Sequence, residues 1–383
     1  MMDQTDTANP ADRTDPTDTA NSTDRTDPTD AANPMMDQTD TANPADTANP
    51  TDRTDPTDTL KKTESGYIMG IDGGGTKTLL KIAGPEGNLL ASCQSGPTNL
   101  YSGSTDTVRE NLEQAIQGGL AQAQIRMEDL GCVSLGMAGA DRPQDHVILK
   151  ELLAGIGIRC RILITNDAVA ALYGALGKGE GIILVSGTGS ICYGQKADGS
   201  SHRAGGWGHI IGDEGSGYDI GRQILMEVMK SYDGRREKTI LSSLLRDEWN
   251  LPSPESMLPF VYHSESGKSD IAALGVLLDP ACEAGDPAAL RIARKAAREL
   301  FLCVESVLNA LRFPENRTVL AMQGGVLVKG KQVKKELTCL LNHAYPMVCI
   351  RESLGDAAWG AIQMAAEKQS GSAGANPGAD TGS

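Results

Sequence analysis

Residues 66–368 predict an α/β fold in two halves that open alike. Three observations carry that reading. Short apolar or β-branched runs alternate with stretches of helical periodicity along the whole span. Each half begins with an apolar run, a Gly-rich turn, a second apolar run and a polar turn containing Gly. The flanks, 1–65 and 369–383, show neither period and mark the limits of the folded part.

In chain order, the first half (66–180) reads as strands at 67–72, 77–83 and 89–94, separated by the glycine turn and by "PEGN". A helix at 105–123, a strand at 132–138, a helix at 146–155, a strand at 159–165 and an Ala-rich helix at 168–177 follow. The second half (181–368) opens with "GIILVS", the turn "GTGS", "ICYGQK", the turn "ADGS" and a short run toward Arg203. Helices at 217–230, 239–249 and 286–312 come next, then a strand at 318–323, a helix at 333–344, a strand at 347–351 and a helix at 356–367. The halves share element order and no sequence identity.

The first sixty residues are mainly Asp, Thr, Ala, Asn and Pro, with "MMDQTDTANPAD" occurring twice. Such a segment has too little apolar surface to offset its chain entropy. Its fourteen Asp against three Arg supply −11 of the formal charge of −15, leaving the body nearly balanced. That balance offers no basic field for nucleic acid and no polybasic anchor for a membrane. The start lacks the pattern of a signal peptide and no long apolar run occurs, so a cytoplasmic location is expected. Eight cysteines without zinc spacing read as reduced core residues.

The chemistry concentrates at turns. In "GIDGGGTKT" (70–78) glycines without Cβ allow successive amides of 73–77 to converge on an anion, with the Thr76 hydroxyl as a further donor. "SGTGS" (186–190) repeats the combination in the second half, and two such turns can grip a triphosphate from both sides. Either turn alone is also an ordinary hairpin turn. Neither matches the Walker loop or the dinucleotide fingerprint. Asp72 ends the first strand, where it either holds Mg²⁺, directly or through water, or shapes the turn.

"RILITNDAVAAL" runs a strand into Asn166 and Asp167 at the start of a helix. Asp167 is either a helix cap or the carboxylate that phosphoryl transfer to an alcohol requires. "GGWGHIIGDEGSGYDIG" (205–221) gathers glycines, an aromatic, a histidine and two carboxylates ahead of a helix, a density that packing alone does not require. Asp213 there either accepts from sugar hydroxyls or caps the helix that follows, Glu214 is placed to orient it or the metal, and His209 reads as structural.

Together with "GPTNLYSG", "LGMAGADRP" and "MQGGVL", these motifs resemble the BadF/BadG/BcrA/BcrD ATPase family, in its N-acetylglucosamine kinase branch within the hexokinase and actin-like superfamily. The resemblance covers 67–368 and implies two duplicated ribonuclease-H-like domains with ATP, Mg²⁺ and a small amino sugar in the cleft between them. It implies that Asp72, Gly74, Gly75 and Thr76 form the first phosphate loop, Gly187 and Thr188 the second, and that Gly324 and Gly325 lie against adenosine. Asp167 is then the base for the sugar's 6-hydroxyl, with Asn99, Gly189, Ser190 and Asp213 as further sugar contacts. A homodimer stays open. The "NDKCAAGTG"-like cysteine motif of members that activate radical dehydratases is absent, as is the cysteine motif of zinc-binding sugar kinases. Because nothing in residues 1–60 can pack, their deletion is expected to leave sugar-stimulated ADP release nearly unchanged, and a large loss would give the tail a role.

Overall fold

The computed structural model describes residues 66–372 apart from 102–103, 141, 263–266 and 314–317. The acidic repeat and the segment after 372 lie outside the described residues. The body holds two five-stranded mixed sheets.

The first sheet comprises β1 (Tyr67–Gly73), β2 (Thr78–Ala83), β3 (Leu89–Ser95), β4 (Leu130–Met137) and β5 (Arg161–Asn166), in the order β3-β2-β1-β4-β5. The hairpin strands are antiparallel, whereas β4 and β5 continue parallel to β1. The second comprises β6 (Gly181–Ser186), β7 (Ser190–Gln195), β8 (Ser201–Gly205), β9 (Val319–Gln323) and β10 (Cys349–Glu352), in the order β10-β9-β6-β7-β8. Read outward from β1 and from β6, the two sheets have the same sequence of antiparallel and parallel pairings. In both, the Gly-rich turn follows the central strand at its carboxyl end, beside the ends of its parallel neighbours.

Helices α1 (Thr105–Ala123) and α2 (Pro143–Ile156) belong to the first sheet's core, which gathers Leu112, Ile116, Leu135 and Leu153. The second core is larger and centres on α4 (Gly217–Tyr232) and α9 (Pro287–Leu311). Between them lie α5 (Leu241–Trp249), α6 (Pro254–Tyr262), α7 (Lys268–Ala273) and α8 (Leu278–Glu283). Sequence reading passed over the last three: each spans at most nine residues, too short to show a period, and prolines interrupt α6 and α8. After β9 come α10 (Gly325–Val328) and α11 (Gln332–Ala344).

The final helix α12 (Ala357–Ser372) runs past the expected limit at 368 and packs on β1, β2 and β4 of the first sheet, although its sequence position assigns it to the second half. It also crosses α3 (Asp167–Leu176), which in turn packs under β6, β7 and β9. The crossing is a backbone contact. A Cβ on Gly360 would sit 1.9 Å from the Ala170 carbonyl oxygen, and one on Gly174 2.1 Å from that of Asp356. Six of the cysteines are buried or half-buried, as expected of core residues, but Cys339 and Cys349 are exposed. No described helix is long and apolar enough to cross a membrane.

Gly360→Val forces this crossing apart and is expected to lower unfolding free energy by about 1–3 kcal/mol or more in urea titration. Gly155→Ala, on an open face of α2, is expected to gain about 0.5–1 kcal/mol. Equal effects would mean that the crossing does not constrain the fold.

Candidate active site

The first turn, 74–77, is closed by the Gly74 amide donating to the Lys77 carbonyl at 3.0 Å. The Gly74 amide is therefore spent inside the turn rather than offered to an anion, and the amides of Gly75, Thr76 and Lys77 have no backbone partner among the described residues. The glycines are not there for positive φ, which none of Gly73, Gly74 and Gly75 adopts. Gly73 is needed for space: a Cβ would stand 2.2 Å from the Met137 Sδ and 2.5 Å from the Thr98 Oγ1. The Gly74 carbonyl accepts from the amides of Thr98 (3.1 Å) and Asn99 (3.3 Å), tying the "GPTNLYSG" loop to the turn.

The second turn, 187–189, is closed by the Gly187 amide on the Gly189 carbonyl (2.9 Å), again removing one expected donor. It is stapled to α4, whose Gly217 amide donates to the Gly187 carbonyl at 2.7 Å. Gly324 approaches from β9 with φ +90°, and a Cβ there would lie 2.2 Å from the Ser186 carbonyl oxygen, so only glycine fits. Gly187, Thr188, Gly217, Gly325, Ser269 and Val276 help to line a cavity of about 520 Å³ with mostly apolar walls. The first turn reaches its rim, where the Thr76 and Ser269 hydroxyls lie 3.5 Å apart.

At the other side of the first turn, Asp72 on β1 stands near Asp167, which opens α3 after β5. Burial pushes the Asp72 carboxyl up to about 7, the charges of Asp167 and Asp356 add to the rise, and Lys77 opposes it. Asn166 is the helix cap, its Oδ1 accepting from the Val169 amide at 2.9 Å, which removes the capping role considered for Asp167. Asp356 was not anticipated. It caps α12 through the Trp359 amide (2.9 Å) and pairs with Lys81 on β2. Among the described residues no three His, Cys, Asp or Glu side chains gather as a metal site.

The model of the BadF/BadG/BcrA/BcrD ATPase family matches residues 69–365, from β1 into α12. The chain belongs to that family. It is 41% identical over 299 residues to the N-acetylmuramic acid/N-acetylglucosamine kinase of Clostridium acetobutylicum, covering 78% of this chain and 98% of that one. It is 30% identical over 308 residues to the N-acetyl-D-glucosamine kinase of Dictyostelium discoideum, covering 78% and 97%. A solved structure from Chromobacterium violaceum, described as a candidate N-acetylglucosamine kinase, superposes with TM-score 0.64 at 25% identity over 78% and 98% of the two chains.

The residues expected to contact sugar fall into two groups. Asn99 accepts from the Tyr101 amide (2.8 Å), and the Tyr101 hydroxyl donates to buried Asp145 (2.7 Å), joining the 96–101 loop to α2. Gly189, Ser190 and Asp213 form the second group: the Ser190 amide donates to Asp213 Oδ1 at 3.4 Å, and the Ser190 hydroxyl to the Glu214 carbonyl at 2.7 Å. Asp213 is 4% exposed, sits at φ +57° and binds Lys268 Nζ through Oδ2 at 2.7 Å. Its partner is thus Lys268 and not Glu214, whose side chain faces solvent. His209 is exposed, with its ring edge against Tyr218 rather than in the core.

The raised Asp72 pKa has a sign that can be measured. The folded chain holds this proton more tightly than an unfolded chain, whose carboxyl has the ordinary 3.8, so the stability it contributes below 3.8 is lost as pH climbs from there to about 7. Asp72→Asn, without nucleotide or divalent cation, is expected to melt near wild type at about pH 4 and above it at about pH 8. A difference independent of pH would contradict the assignment.

Proposed function

We propose that this chain is an ATP-dependent amino-sugar kinase that phosphorylates N-acetylglucosamine at its 6-hydroxyl. The observation that carries the reading is the arrangement around the two turns. One turn opens onto a mostly apolar cavity with room for a nucleoside, while the other starts just after Asp72, near Asp167. The names of the Clostridium and Dictyostelium relatives support the substrate class. Glucosamine and N-acetylmuramic acid are the nearest alternatives, because an acetyl or lactyl group is told apart by a few pocket contacts.

On this reading the body is two ribonuclease-H-like domains, 66–180 and 181–368, with α12 returning to the first, and the reactants meet in the cleft between them. Adenosine takes the cavity beside Gly324 and Gly325, and the amides of Gly75, Thr76, Lys77, Thr188 and Gly189 face the phosphates. Asp72 holds Mg²⁺, which neutralises phosphate charge when bound. Asn99, Gly189, Ser190 and Asp213 position the sugar. Asp167 orients the 6-hydroxyl and takes its proton as that oxygen bonds to the γ-phosphorus. The bond to the β-bridging oxygen breaks, and its electron pair leaves with ADP. Closure excludes water, so ATP is spent on sugar and not on hydrolysis. Use of ATP agrees with a cytoplasmic setting.

A coupled ADP-release assay with N-acetylglucosamine, glucosamine, N-acetylmuramic acid and glucose is expected to show strongest stimulation by N-acetylglucosamine. No stimulation by any sugar would remove the proposal. Asp167→Asn is expected to lower kcat by about 10²–10⁴-fold while ATP binding by calorimetry is largely retained. A fully active variant would place the base elsewhere.

A further inference from the structure

Lys268 and Ser269 open the short helix α7 in the segment between α4 and α9, far in sequence from every motif that marks the site. The two side chains reach in different directions. Ser269 lines the cavity and meets Thr76 of the first turn. Lys268 reaches Asp213 Oδ2 at 2.7 Å, and a Cβ on Gly189 of the second turn would lie 2.8 Å from that same oxygen. The ammonium is therefore one carboxylate away from the second phosphate turn, on an element that also touches the first.

The pair is built at some cost. Asp213 is a buried carboxylate in a left-handed backbone conformation, and it fits only because position 189 carries no side chain. A buried carboxylate needs a charged or hydrogen-bonding partner, and Lys268 supplies it before sugar arrives. Lys268 itself keeps a third of its side-chain surface exposed, so it has room to turn on its flexible stem.

We propose that Lys268 is a catalytic residue that contacts the transferring phosphoryl group and that Asp213 holds it aside until sugar binds. This rests on the kinase reading above. When sugar hydroxyls donate to Asp213, the carboxylate no longer depends on the ammonium, and Lys268 turns toward the γ-phosphate across the Gly189 backbone. There its charge offsets the negative charge spread over the phosphoryl oxygens as the sugar oxygen bonds to phosphorus and ADP departs. The exchange couples phosphate activation to sugar occupancy, so the charge is in place only when an acceptor is.

The test is steady-state kinetics of Lys268→Met and Lys268→Arg beside wild type, with N-acetylglucosamine and ATP varied, together with affinity for ADP plus aluminium fluoride and sugar. Lys268→Met is expected to lose about 10²–10³-fold in kcat with little change in sugar KM. Its affinity for the fluoride complex should fall in parallel while affinity for ADP alone is kept. Lys268→Arg should recover part of both. A rise in sugar KM with kcat intact would mean that Lys268 only steadies Asp213, and would overturn the proposal, as would kcat within twofold of wild type. If Lys268→Met does not fold, Lys268→Gln carries the same expectations. Wild type without sugar-stimulated turnover would instead fail the kinase reading, and this proposal with it.

Discussion

Two like charges held close together at the carboxyl ends of parallel strands are the constraint on which this structure turns. Asp72 lies near the end of β1 and Asp167 directly follows β5, strands separated only by β4, and the Asp167 charge adds to burial in pushing the Asp72 proton affinity up to about 7. A fold does not gain stability from such a pair. The surrounding chain manages it locally, with Lys77 beside Asp72 and with Asp356 engaged by Lys81 and the α12 amide at Trp359. Positive charge brought close to the pair relieves it, and on the proposed reading that charge is the cation that accompanies the nucleotide.

The spacing of those carboxylates is set at a distance. α3 carries Asp167 in its first turn and α12 carries Asp356 at its start, and the two helices meet backbone to backbone at Ala170, Gly174 and Gly360. α12 lies on the first sheet, and α3 packs against strands of both. The second sheet does the equivalent with Gly324, which brings β9 against the β6–β7 turn. The site is thus hung from a small number of contacts that tolerate no Cβ, and small shifts there move Asp167 and Asp356 together.

Much of this was legible in the sequence because it is local. Strand, Gly-rich turn and strand are contiguous, and helix α1 falls where its periodicity put it, at 105–123. The family motifs place Asp72, Asp167 and the Gly324–Gly325 pair, and the structure puts them at strand ends or turns. The reasons were less legible than the positions. Gly73 is small to clear Met137 and Thr98, not to reach positive φ, and the turn glycines Gly74 and Gly187 spend their amides closing the turns. Asn166 and Asp167 are adjacent and equally able to cap, and only coordinates tell which one does. Lys81 with Asp356, Lys268 with Asp213, and Ser269 with Thr76 join residues far apart in the chain, so no window of sequence contains them.

The claim that Asp72 and Asp167 serve a single reaction centre is tested most directly by a double-mutant cycle on kcat, with each aspartate changed to asparagine alone and then together. One shared centre predicts that the double variant loses far less than the product of the two single losses, because either change already removes the charge arrangement the other works in. Losses that simply multiply would show the two carboxylates acting independently and would contradict the account.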